Sequence, residues 1–274
     1  MIAAIVWDID PRVFPAVDYL RWYGLCWALG LLLGYRIVQS IYHREEVPVS
    51  ELEKLATYVM IGAIVGARLG HILFYDPVYY YHHPIEILPI SWEPSFRFTG
   101  LAGLASHGGI LGALLALYLY HRKSKTDYWW MLDRLTIGGV ALGGFIRLGN
   151  LLNSEIIGIP TQVPWAFVFL RVDQTPRHPT QLYEAIFYFA TSWVLYWVWR
   201  SNRFAGYHGF LFGLGMLSIF FQRFLIEYLK ENQVEFEANL FLNMGQILSI
   251  PLILLGVATM GWSLRSSRAS NGSA

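Results

Sequence analysis

A single cysteine, Cys26, is the only thiol in 274 residues, which excludes any intrachain disulfide. Charge is almost as scarce. Asp, Glu, Lys and Arg make up 14% of the chain, against about 25% in a soluble domain, too little to cover a water-facing surface. A formal net charge of +1 offers no basic field, so no nucleic-acid partner is expected. His82, His83 and His121 lie between the apolar runs without metal-ligand spacing, and neither a metal nor a cofactor is expected. The opening MIAAIVWDIDPRVF has no basic region ahead of a long apolar core, so no cleavable signal peptide is expected. No internal repeat and no pair of interrupted helices in matching halves is visible, which weighs against a transporter.

What is there is apolar: 55% hydrophobic and 16% aromatic residues, with a mean hydropathy of +0.41. A spanning helix needs about 20 such residues. Seven stretches qualify: residues 19–40, 55–75, 101–121, 128–149, 181–200, 209–230 and 242–264. The expected fold is an all-α integral membrane protein of seven transmembrane helices. It forms a single polytopic domain over 1–274, with a disordered polar tail at 265–274. Alternating the connections puts Arg44, Lys54, Arg122, Lys123, Lys125, Arg200, Arg203, Arg265 and Arg268 on one side. By the positive-inside rule that side is cytoplasmic. The other side carries the longer loops 76–100 and 150–180 and the acidic segment 231–237. The N-terminus is therefore expected outside (periplasmic) and the C-terminus in the cytoplasm. Glycines recur within the spans, as at Gly62, Gly66, Gly70, Gly108, Gly109 and Gly112, and allow helices to approach closely.

Residues 143–158, GGFIRLGNLLNSEIIG, place an arginine, two asparagines and a glutamate where the fourth span ends. A charged side chain in hydrocarbon costs roughly 2.5–3.5 kcal/mol, so such residues face a partner or a wet cavity. Others fall at the same expected depth. Arg21 and Tyr23 open span one, Arg68 and His71 end span two, and His107 begins span three. Arg177, His178, Gln181, Tyr183 and Glu184 open span five, and Arg223 and Glu227 end span six. Together they form an outer-leaflet cluster. Each has a plainer reading. Arg21 suits an interfacial anchor, Arg223–Glu227 a structural i,i+4 pair and His107 a packing histidine. Residues 177–180 suit a helix start with Pro179 in the first turn, and Cys26 a small buried hydrophobe. Arg147 and Asn150, three apart on one helix face, resist such readings. Two arginines on different helices near a lipid headgroup suit a phosphate clamp.

With those residues in view, the chain resembles the prolipoprotein diacylglyceryl transferases. Their signature, G-R-x-G-N-F-x-N-x-E-x-x-G, is matched from Ile146 to Gly158, with Ile146 in place of the first glycine and Leu151 in place of phenylalanine. Both departures are apolar and leave the polar positions intact. Arg21-Trp22-Tyr23-Gly24, Gly66-Ala67-Arg68-Leu69-Gly70, Ser106-His107-Gly108-Gly109, the segment RHPTQLYE over 177–184 and Arg223-Phe224-Leu225-Ile226-Glu227 extend the likeness over essentially the whole chain.

The resemblance implies an enzyme of the bacterial cytoplasmic (inner) membrane with its active site toward the outer leaflet. It would move the diacylglyceryl group of phosphatidylglycerol to the lipobox cysteine thiol in a prolipoprotein signal peptide, releasing glycerol phosphate. It places functional roles at Tyr23, His107, Arg147, Asn150, Glu155, Gly158, Arg223 and Glu227. On this reading Arg147 and Arg223 bind the phosphodiester, with Asn150, Glu155 and Gly158 around the headgroup. His107 is the candidate base, with Glu227 or Tyr23 as alternatives. Two rivals stand beside it. A serine protease built on Ser106 and His107 suffers because adjacent helical residues point about 100° apart. A transporter with an intramembrane Arg/Glu site suffers because the inner halves of most spans carry no charge.

Overall fold

The computed structural model describes residues 4–15, 20–88, 90–91, 96–98, 103–231 and 241–271. Along the chain come β1 (Ile5–Trp7), α1 (Trp22–Arg44), α2 (Val49–Phe74), α3 (Pro77–His82), a 3-10 turn (Pro84–Ile87), β2 (Ile90–Ser91), β3 (Arg97–Phe98) and α4 (Ser106–Ser124). Then follow α5 (Tyr128–Leu152), β4 (Phe167–Phe169), β5 (Pro176–Arg177), α6 (Thr180–Arg200), α7 (Phe210–Ile226), a second 3-10 turn (Glu227–Leu229) and α8 (Met244–Asn271).

Each of the seven apolar stretches carries one long helix. Five are long and apolar enough to cross a membrane: Trp22–Arg44, Val49–Phe74, Tyr128–Leu152, Phe210–Leu229 and Met244–Ser266. At 1.5 Å per residue the 26 residues of α2 reach about 39 Å, more than the ~30 Å hydrocarbon layer. α4 and α6 fall short on apolarity, α4 because it holds His107, His121, Arg122 and Lys123, α6 because tyrosine and tryptophan replace aliphatic residues. Pro251 lies inside α8 without ending it, as membrane helices tolerate. α8 runs on to Asn271, so residues 265–271, expected in a disordered tail, are helical. The expected span starts at 19 and 101 and the acidic segment 232–237 lie outside the described residues.

Contacts divide the chain, read from sequence as one polytopic domain, into two compact units: 1–41 with 129–274, and 42–128. In the larger unit Ile41, Ile137, Leu195, Trp199, Phe210 and Leu211 form one core. Beside it, Asp133 is almost fully buried and accepts the backbone N–H groups of Gly209 and Phe212, both at 2.8 Å, capping α7 from a neighbouring helix. A second core of Leu151, Ile157, Phe167 and Phe169 lies under a small sheet ordered β1-β4-β5. β1 and β4 run parallel with Ile5 opposite Phe167, and β4 and β5 antiparallel with Phe167 opposite Arg177. Trp7 Nε1 donates to Leu151 O at 3.0 Å, so the sheet braces the end of α5.

The smaller unit is built on a seam between α2 and α4. A methyl group placed on Gly66 would lie 2.4 Å from Gly108 O, and one on Gly112 would lie 2.1 Å from Gly62 O. The two backbones touch along a line that no side chain can enter.

Candidate active site

The site starts where α5 stops. Arg147 and Asn150 lie on its last two turns, and the chain then folds back. The N–H of Asn153 still bonds Gly149 O at 3.0 Å, and that of Glu155 returns to Asn150 O at 2.9 Å. This brings the Glu155 carboxylate to the Asn150 amide, whose Nδ2 donates to Oε2 at 3.2 Å, while Asn153 Nδ2 donates to Oε1 at 3.1 Å. An ionised carboxylate only accepts, so Asn150 turns its NH2 to Glu155 and its oxygen to Arg147. Arg147 Nη1 donates to that oxygen at 3.4 Å.

Arg147 also heads a line of alternating charges. Its Nε lies 3.2 Å from Glu184 Oε2, Glu184 Oε1 lies 3.0 Å from Lys230 Nζ, and Lys230 Nζ lies 3.0 Å from Glu227 Oε1. Glu227 Oε1 in turn lies 3.6 Å from Arg223 Nε. The line joins α5, α6 and the end of α7. The side chains of Glu184 and Lys230 are 0% and 3% exposed, that of Arg147 13%, and that of Arg223 35%. Arg147 also donates to the Tyr188 hydroxyl oxygen, which lies within the field of Arg223. Buried charges persist only when paired, and here each anion lies between two cations, with the most exposed cation at the open end. Such an arrangement can accept an anion against Arg223 and Arg147.

Gly158 and Tyr23 are each held by close packing. Gly158 lies between two chain segments: its N–H donates to His178 O at 3.0 Å, and Ile159 N–H donates to Leu229 O at 2.9 Å. A Cβ at 158 would lie 2.5 Å from His178 O and 2.8 Å from Leu229 O. Gly158→Ala is therefore expected to lose about 1–3 kcal/mol of stability, as overpacked sites do, and to lower activity with it. Thermal unfolding and the rate of the reaction expected from the resemblance, measured on the same purified sample, check this. Tyr23 packs on Gly149, where an added Cβ would lie 2.8 Å from its ring. Beyond Gly158, Arg177 donates to Gly158 O at 3.2 Å and pairs with Asp173 at 2.6 Å and Glu231 at 3.0 Å. The Arg177 guanidinium holds the Asp173 carboxyl below the usual range. Burial keeps His178 below its ordinary value, so it is neutral near pH 7.

The structure thus gathers Tyr23, Arg147, Asn150, Glu155, Gly158, Arg223 and Glu227 in the larger unit. His107 belongs to the smaller unit, in the first turn of α4 next to Gly108 of the glycine seam. Ser106 opens the same turn. Arg68 donates to the carbonyls of Ile87, Gly103 and Glu86 and stacks 5.0 Å from the Tyr80 ring, which makes it a brace for Tyr80, Glu86, Ile87 and Gly103. Of the members of the charge line, Glu184 stands in the sequence as one of the outer-leaflet cluster with no role of its own, and Lys230 only as the end of a span. The depth argument that singled out Arg147 applies equally to Glu184, one turn inside α6. Among the described residues no three His, Cys, Asp or Glu side chains converge as metal ligands.

The profile of the family described as Prolipoprotein diacylglyceryl transferase matches residues 13–262. A Bacteroides fragilis protein named phosphatidylglycerol–prolipoprotein diacylglyceryl transferase is 46% identical over 264 residues, 95% of each chain. Proteins of the same name from Tolumonas auensis and Chloroherpeton thalassium are 46% identical over 258 residues and 42% over 269. These alignments cover 93% and 96% of this chain and 96% of each relative.

Proposed function

The chain belongs to the prolipoprotein diacylglyceryl transferase family, and from that premise we infer that it transfers the diacylglyceryl group of phosphatidylglycerol to a prolipoprotein, the first step of lipoprotein lipidation. The observation that carries the chemistry is the charge line from Arg147 to Arg223. The transporter reading finds no support in the family or its named relatives.

The acceptor is the lipobox cysteine of a signal peptide. Its sulfur attacks the glycerol carbon that bears phosphate. The C–S bond forms as the C–O bond breaks, the electron pair leaves with glycerol phosphate, and the thiol proton passes to a base. A thiol with pKa near 8.5 is only a few per cent ionised at neutral pH, so a base accelerates the step. Arg147 and Arg223 hold the phosphodiester and stabilise the charge that builds on it. Glu155 and Asn150 orient Arg147, and Gly158 lets the segments at His178 and Leu229 pack beside them. Glu227 is engaged by Arg223, Lys230 and, at 3.4 Å, Asn243, bonds it would have to break to take a proton. Tyr23 packs against the end of α5. His107 is the proposed base, as the resemblance has it, with Glu227 and Tyr23 as the alternatives. Incubating purified protein with labelled phosphatidylglycerol and a lipobox peptide tests the assignment. Label on the cysteine supports it, and label that stays in lipid sinks it.

The seven long helices span the inner membrane in this proposal, α4 and α6 among them. Both carry large apolar side chains on exposed faces, as Leu111 and Leu115 on α4 and Trp193 and Trp197 on α6 do. The N-terminus and the site face outward. Single cysteines introduced at residues 76–88 should react with an impermeant maleimide in intact cells, and those at 121–127 should not. The reverse pattern would invert the topology.

Cys26 is buried on α1 and supplies no sulfur in this scheme. Cys26→Ala should keep transfer near the parental rate, with a small loss of packing. A folded Cys26→Ala protein without activity would replace direct displacement by a covalent enzyme intermediate.

A further inference from the structure

Glu155 is aimed by a backbone that residues with side chains rarely adopt. On either side of it Ser154 and Ile156 have φ of 56° and 57°. For a β-branched residue this left-handed region is an outlier, kept only where the surroundings over-determine it. The first two residues of α6 do so. Thr180 Oγ1 donates to Ile156 O at 3.0 Å, and Gln181 Nε2 donates to Glu155 O at 2.5 Å. Both residues are fully buried. Gln181 Oε1 is buried with no partner among the described residues. An orphaned acceptor is a cost that leucine or methionine would avoid, so the Nε2 bond is what the glutamine contributes.

We propose that Gln181, helped by Thr180, is a positioning residue for diacylglyceryl transfer: it locks the left-handed turn that aims Glu155 at Asn150, and so sets the guanidinium of Arg147. The inference rests on the function given above and adds a residue that touches no substrate. The line of action runs from the start of α6 to the end of α5. Gln181 fixes the Glu155 carbonyl, the Glu155 carboxylate fixes the Asn150 amide, and the Asn150 oxygen meets Arg147. Releasing the first bond lets the turn relax toward ordinary φ and swings the carboxylate away.

A double-mutant cycle tests this. Gln181→Met keeps length and apolar bulk but removes the donor. It should lower kcat/KM for phosphatidylglycerol on the order of 10²-fold, the scale of a misplaced catalytic group. Glu155→Gln should also lower it. If Gln181 acts through Glu155, the double variant is no worse than the weaker single one, whereas a packing role makes the losses multiply. Ile156→Gly approaches the same turn without touching Gln181. Glycine accepts φ of 57° without strain, so the turn then needs its lock less: alone this variant should stay near parental kcat/KM, and added to Gln181→Met it should recover roughly tenfold of the loss. Thr180→Val removes the second bond to the turn and takes the place of Gln181→Met if that variant does not accumulate. Multiplying losses in the cycle, or no recovery on adding Ile156→Gly, would overturn the proposal. A parent protein that transfers nothing would instead overturn the function on which it rests.

Discussion

Arg147→Lys is expected to lose activity on the order of 10²–10³-fold while the protein accumulates normally, the scale seen when one donor to a developing anion is removed. Charge is conserved, so a purely electrostatic role would be spared. Geometry is not conserved. Arg147 binds Glu184 through Nε and Asn150 through Nη1 and, in the proposed mechanism, presents a further donor edge to phosphate. A planar fork does this, and an ammonium with a single nitrogen cannot. Arg21→Lys serves as the control, since that residue is assigned to the interface and its variant should remain near parental. The comparison is made at matched protein amounts with labelled phosphatidylglycerol. Turnover by Arg147→Lys within a fewfold of the parent would reduce Arg147 to a structural ion-pair member.

Lys230→Met is expected to give the largest loss of stability. Lys230 Nζ lies 3.0 Å from carboxylate oxygens of both Glu184 and Glu227, and its side chain is 3% exposed. Removing the cation leaves two buried carboxylates facing each other without the charge between them. Breaking a buried pair in this way costs about 3–5 kcal/mol, which lowers the unfolding midpoint by roughly 6–20 °C. Adding Glu184→Gln removes one charge of the opposite sign and should restore part of the stability. It should not restore activity, because Arg147 then loses its carboxylate partner. Thermal unfolding of the two variants decides the matter. A Lys230→Met protein as stable as the parent would show that the two glutamates do not share a buried cation.

Apolar length made the helices legible. Runs of about 20 residues leave few alternatives to a helix in a chain with so little charge, and each of the seven runs holds one. The arginines and asparagines of the α5 terminus were legible for the converse reason, that polar groups are out of place there. The sheet was not. Its strands are two or three residues long, too short to show a period of two, and β1 pairs with β4 across most of the sequence. Glu184 was legible as a member of the outer-leaflet cluster but not as a link between two cations, and Lys230 was hidden by the habit of lysines to end spans. What exposes both is the partner each one meets. That information is tertiary, since Glu184 and Lys230 are 46 positions apart.

The α2–α4 seam bears on His107, although it contains no part of that side chain. Gly108 is pressed against Gly66 and Gly70, and Gly112 against Gly62, with room for hydrogen atoms only. A helix in such a groove cannot turn about its own axis, because any rotation drives a Cβ or a carbonyl into the opposing backbone. The azimuth of every residue on α4 is therefore fixed from outside. His107, one position before Gly108, points about 100° around from the seam. For an engineer, the bearing of that imidazole is written in glycines on two helices. Enlarging Gly66 or Gly112 should redirect it without altering a single atom of the histidine.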